Sequence, residues 1–156
     1  MKLLFRQRIF SWFDSYDIYD EWGNTVYTVR GQLSWGHLLK IYDARGYAVG
    51  TVRERVLTFL PKFKMYLGDR YMGCVRKRFS FFRPVFDLDC NGWQVEGDFM
   101  GWEYEITDGQ RQVAAISKEL LHWTDTYVID VADGRDGLCA LMVVLAIDAE
   151  KCSHNS

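Results

Sequence analysis

Asp87, Asp89 and Asn91, with Gly92 and then Asp98, stand at positions one, three, five, six and twelve of the stretch DLDCNGWQVEGD. That spacing is the oxygen-ligand pattern of a calcium loop, in which carboxylates wrap a hard cation and a glycine makes the sharp turn. Such a loop needs helices on both flanks. Here the flanks are FFRPVF and GWQVEGDF, rich in β-branched and aromatic residues and interrupted by Pro84. Asn-Gly between two such runs is the pair preferred by a two-residue type I′ hairpin. The expectation is therefore a hairpin carrying Asp87 and Asp89 on its outer face, without a metal.

Catalytic chemistry finds little to build on. His37 and His122 stand singly beside aromatic or apolar residues, and Ser11, Ser34 and Ser117 lie in strand-like contexts without a G-x-S-x-G elbow. There is no glycine-rich phosphate loop, and no spacing forces two carboxylates together. These absences point away from an enzyme, and no cofactor is expected. Cys74, Cys90, Cys139 and Cys152 form no C-x-x-C pair. They read as free thiols in a reducing cytoplasm.

A charge asymmetry is the stronger signal. Between Thr51 and Arg83 lie nine basic residues, Arg53, Arg55, Lys62, Lys64, Arg70, Arg76, Lys77, Arg78 and Arg83, opposed only by Glu54 and Asp69. This segment carries +7, so the rest of the chain carries −9 to reach the total of −2. Lys62 and Lys64 alternate with Phe63 and Met65, which is how one face of a strand separates from the other. Neighbouring strands of a meander would gather these charges into a basic wall. Arg53, Arg55, Lys62, Lys64, Arg76, Lys77, Arg78 and Arg83 are the candidate lipid- or anion-binding residues. Anionic phospholipid headgroups are the expected partner, at about 1 kcal/mol per Lys or Arg near such a surface. An ordinary solvated face is the alternative reading, with a protein partner in place of lipid. A net charge of −2 gives no global pull toward nucleic acid.

The elements that position these residues follow from an internal repeat. SWFDSYDIYDEWGNTVYTVR (Ser11 to Arg30) aligns without a gap to SWGHLLKIYDARGYAVGTVR (Ser34 to Arg53), and ten positions are identical. Each unit reads as strand, Asp/Gly turn, strand. Further turns fall at Gly68-Asp69, Asn91-Gly92 and Asp108-Gly109. The resulting strands are Leu4–Phe10, Tyr16–Tyr19, Thr25–Gln32, Leu38–Tyr42, Ala48–Leu57, Lys62–Leu67, Arg70–Phe79, Val85–Asp89, Trp93–Phe99, Glu103–Thr107, Gln112–Leu121 and Thr126–Val131. Twelve short, evenly spaced strands with no helical period between them predict an antiparallel closed barrel.

The chain then changes character. Leu138 to Ile147 is ten apolar residues in a row, LCALMVVLAI. A helix without a polar face belongs where it is buried on every side. A twelve-stranded barrel leaves a hole that side chains alone do not fill. The two fit together, and a hydrophobic α-helix over about 136–148 is placed along the barrel axis. Asp133 or Asp136 would cap its start. Asp148 would oppose its dipole and calls for a basic partner.

The 156 residues suit one domain, residues 1–148, with a tail at 149–156. MKLLFRQRIF begins like a secretion signal, but Arg6 and Arg8 break its apolar run. No stretch reaches the roughly 20 apolar residues of a membrane span. A cytoplasmic protein, peripheral to the membrane if the basic wall binds lipid, is the expectation.

Four stretches carry a family resemblance: the SW…IYD..G hairpin, FFRPVFDLDCNGWQVEGDF, YEITDGQRQVAAISKELLHWTDTYVIDVADG and LCALMVVLAID. With them the chain resembles the LURP-one-related family, a branch of the tubby C-terminal-like superfamily that also includes the phospholipid scramblases. The likeness spans Met1 to Asp148, and Ala115–Val131 with the final helix are its most specific parts. It implies a twelve-stranded barrel around a central C-terminal helix. Toward function it implies lipid association in the tubby and scramblase branches, and no settled role for the LURP-one-related members. No lipid-site motif of the tubby domains transfers onto residues of this chain.

Overall fold

Alternation along each strand sorts side chains to two faces. In β6 (Lys62–Leu67) Phe63 and Met65 are buried, while Lys62 and Lys64 keep contact with solvent. The other strands before the turn into β10 are β1 (Lys2–Arg6), β2 (Ser15–Tyr19), β3 (Thr25–Ser34), β4 (Gly36–Asp43) and β5 (Ala48–Arg55), then β7 (Arg70–Arg78), β8 (Val85–Cys90) and β9 (Gln94–Asp98); β4 and β7 depart from the alternation with consecutive buried residues. The sheet is completed by β10 (Glu103–Asp108), β11 (Arg111–Leu121) and β12 (Thr124–Val131), where Thr126 to Ile129 are all buried. A 3-10 turn, Gly134–Asp136, leads into one helix, α1 (Gly137–Ser153). The structure, a computed structural model, describes residues 1–6, 15–34, 36–56, 60, 62–78, 81, 85–121 and 124–153. Ser11, Arg83 and His122, singled out in the sequence, lie outside the described residues.

All twelve strands form one antiparallel sheet in the order β8-β7-β6-β5-β4-β3-β2-β1-β12-β11-β10-β9. The sheet curls into a nearly closed barrel because β1 pairs with β12 on one side, Lys2 opposite Asp130 through Arg6 opposite Thr126, and with β2 on the other. The first strand begins two residues before its expected start. The Met1 amine donates to Val131 O, and Val131 N donates to Met1 O. The ladder stops only between β8 and β9.

The repeat has a structural cause. In the β2–β3 turn an Asp20 carboxylate oxygen accepts from Trp22 N and Asn24 N, and Gly23 takes φ +87. In the β4–β5 turn Asp43 accepts from Arg45 N and Tyr47 N, and Gly46 takes φ +86. The shared Asp and Gly are thus one turn built twice. At the tip between β8 and β9, Asn91 (φ 54) and Gly92 (φ 71) make the left-handed pair expected of a type I′ turn.

The helix fills the barrel. Leu141, Met142, Val143, Val144, Leu145, Ala146 and Ile147 cover a full circumference, and none exposes more than 1% of its surface. Burial of each large apolar side chain there is worth roughly 1.5–3 kcal/mol. The close approach of β5 depends on Gly50, where a Cβ would stand 3.2 Å from Met142 Sδ. Asp133 caps the entrance: its carboxylate accepts from the Arg135 guanidinium and from Arg135 N, and these hydrogen bonds hold its pKa down at about 2. The helix runs past Asp148 to Ser153, and Ala149 and Glu150, expected in a tail, are buried.

Candidate anion-binding face

Cross-strand register turns a basic segment into a basic face. Arg55 lies opposite Lys62, and Lys62 opposite Arg76. In the next row Arg53 lies opposite Lys64. One row further, Arg30 of β3 lies opposite Lys40 of β4. Side chains directly opposite share a face. Their strand neighbours Val29, Ile41, Val52, Phe63, Met65 and Val75 are buried around the helix, so these seven cations face outward. Arg78 extends the set along β7, its Nε 3.7 Å from Asp87 Oδ1, with both side chains more than half exposed. A pair so open to water is weak and leaves Arg78 largely available.

Parity decides membership. Lys77 sits between Arg76 and Arg78, and its register partner is the buried Phe86. It points to the interior, where its Nζ lies 3.3 Å from Oε1 of the buried Glu150 near the end of α1. The structure takes Lys77 out of the basic face for that reason. The same parity turns Glu54 inward, alongside Val52; its carboxylate accepts from His37 N at 3.0 Å. The one acid within the basic strands is thereby withdrawn from the outer surface. Burial lowers the His37 pKa, and nearby Glu54 works against that shift. Arg30 and Lys40 were missed in the sequence because the charge count began at Thr51. The repeat held the signal, since Arg30 and Arg53 are equivalent positions within it.

Two aromatic rings brace the cations. Arg30 Cζ lies 5.0 Å from the Tyr42 ring centroid, and Lys64 Nζ lies 5.6 Å from that of Tyr71. Around the barrel the sign reverses. Glu96 and Asp98 of β9 lie opposite Glu105 and Glu103 of β10. Asp87, Asp89 and Asp98, the residues of the calcium-like spacing, are spread over β8 and β9 of a hairpin. Among the described residues no three His, Cys, Asp or Glu side chains gather to hold a metal. Cys74, Cys90 and Cys139 are buried free thiols.

A second titratable cluster closes the barrel where α1 ends. Lys151 Nζ donates to Phe99 O and lies 4.2 Å from the Trp102 ring centroid. Trp102 stacks on Tyr127 at 3.8 Å. Beside them, burial pushes the Asp148 carboxyl up to about 6, while the Lys151 ammonium pulls it down. The unfolded chain ionises this group first, near its ordinary 3.8. Stability therefore falls as pH rises from about 4 to about 6 and levels off above that. Asp148→Asn is expected to remove this fall and to raise the melting temperature at neutral pH. Thermal melts across that range check it; parallel wild-type and variant profiles would refute it.

Comparison with known proteins agrees with this architecture. Residues 1–148 match the model of the LURP-one-related family. The uncharacterized protein YxjI of Bacillus subtilis (strain 168) is 27% identical over 149 residues, covering 95% of this chain and 92% of that one. An X-ray structure of a protein from Arabidopsis thaliana superposes with a TM-score of 0.60 at 15% identity, over 94% of this chain and 90% of that one. At that identity the likeness is one of fold.

Proposed function

The chain belongs to the LURP-one-related family, and from that premise we propose that it is a non-catalytic binding module whose basic face docks on anionic phospholipid at the cytoplasmic surface of a membrane. One observation carries the reading: three cross-strand rows place Arg30, Lys40, Arg53, Arg55, Lys62, Lys64 and Arg76 on one outer face, while Glu54 is turned away. At about 1 kcal/mol per cation near an anionic leaflet, such a face supplies several kcal/mol of attraction that salt screens. No described helix is long and apolar enough to cross a membrane, so attachment would be peripheral. With α1 in the interior, a ligand would meet the outer surface of the barrel. The buried free thiols Cys74, Cys90 and Cys139 fit a reducing compartment.

The test is co-sedimentation with vesicles of phosphatidylcholine, with and without phosphatidylserine, at low and high salt. Binding is expected only with phosphatidylserine and is expected to weaken steeply with salt. Reversal of Lys62, Lys64, Arg76 and Arg78 to glutamate is expected to weaken it by about a hundredfold or more, from four lost attractions plus new repulsion. Lys77→Met is expected to leave binding unchanged, since Lys77 faces Glu150. No binding at low salt, or binding untouched by the fourfold reversal, would reject the reading.

A further inference from the structure

The opening in the barrel lies within a hairpin, an unusual place for one. β8 and β9 are joined by the Asn91-Gly92 turn, and Trp93 N donates to Cys90 O at its base. Beyond that bond no ladder forms between them, although each pairs fully on its other edge, β8 with β7 and β9 with β10. Each strand therefore turns one row of backbone N–H and C=O groups into the gap.

Continuing the register from the Cys90–Trp93 pair would set Asp87 directly opposite Glu96, a like-charge pair. The β9–β10 ladder forms with two such pairs, Glu96–Glu105 and Asp98–Glu103, so charge is not by itself what keeps the gap open. On their paired sides the two edges are packed tightly at glycines: Gly73 (φ +145) lies against Asp89 O, and Gly97 (φ +132) lies against Glu103 O and Tyr104.

The gap forms a groove of about 730 Å³ between the two strands. Phe86, Leu88, Val95 and Phe99 form its floor and pack against the core, beneath edges that are otherwise polar. Its margins carry one acid each, Asp87 on β8 and Glu96 on β9, with Arg78, 3.7 Å from Asp87, the one basic residue of the lining. A strand laid in this groove would present alternate side chains to each layer.

We propose that the β8–β9 seam is a strand-addition site for an extended segment of a partner protein, one that alternates apolar residues with lysine or arginine. Backbone hydrogen bonds to the two open edges hold the segment. Its apolar side chains enter among Leu88 and Val95, and its cations meet the acidic margins. The site adjoins the basic face at Arg78, and the proposal does not depend on lipid binding.

The experiment uses three capped synthetic peptides: alternating lysine and valine, alternating glutamate and valine, and the lysine form N-methylated on alternate amides. Fluorescence anisotropy measures affinity, and hydrogen exchange locates the contact. The lysine peptide is expected to bind about tenfold or more tightly than the glutamate peptide, through exposed ion pairs with Asp87 and Glu96 acting together. It is expected to slow amide exchange in both β8 and β9, and N-methylation is expected to abolish binding. Glu96→Lys replaces the repulsion with Asp87 by attraction. It removes one of the two acids of the lining and is expected to lose peptide binding. The proposal fails if neither peptide binds, if both bind alike, if protection falls elsewhere, or if Glu96→Lys binds the lysine peptide as the wild type does.

Discussion

Leu141→Asp is expected to leave the chain unfolded, and Leu141→Ala to lower its stability by about 2–5 kcal/mol. Leu141 exposes none of its surface and lies among apolar residues of the barrel wall. Alanine would leave a cavity with strands on every side, and a sheet fixed by eleven ladders has little freedom to collapse into it. Aspartate would have to be buried without an arranged partner, at a cost comparable to the whole stability of a domain. Urea unfolding followed by tryptophan fluorescence measures both effects. A Leu141→Ala loss under about 1 kcal/mol would mean that the helix is not held inside the barrel.

Gly73→Ala is expected to cost on the order of 3 kcal/mol or more. The residue sits in β7 at φ +145, and an added Cβ would stand 1.8 Å from Asp89 O of the neighbouring strand. Backbone must move to admit it, and the β7–β8 ladder depends on that backbone. Gly46 gives the contrast. It has φ +86 but nothing within 4 Å of an added Cβ, so Gly46→Ala carries only the left-handed penalty of roughly 1–2 kcal/mol. The same denaturation measurement separates them. Equal losses at the two positions would show that contact with β8 is not what constrains Gly73.

The hairpins and the helix were legible in the sequence because each depends on a local signal. Asp20 with Gly23 and Asp43 with Gly46 are turn chemistry within four residues, and LCALMVVLAI declares its own burial. Parity was equally present and would have sorted the basic segment further. Lys77 between Arg76 and Arg78 must face the other way, as must Glu54 between Arg53 and Arg55. The outer face could not be completed by counting along the chain, because Arg30 and Lys40 join it only through the β3–β4 register. Two features lay beyond local reading. The helix extends past Asp148 because Lys77 and the Phe99 carbonyl meet Glu150 and Lys151, contacts made across more than fifty residues. The seam is the second. Asn91-Gly92 signals a paired hairpin, the turn forms, and the pairing is absent where Asp87 and Glu96 would meet.

The central claim is spatial: α1 occupies the interior of the barrel and touches its walls on opposite sides. Methyl-selective NMR tests it most directly, by cross-peaks from Met142 and Leu145 of the helix. The structure predicts contacts reaching residues such as Ile41 on β4 and also Ile106 or Ile129 on β10 and β12, all within one molecule. Cross-peaks to one wall only, or cross-peaks that appear only between differently labelled molecules, would contradict it.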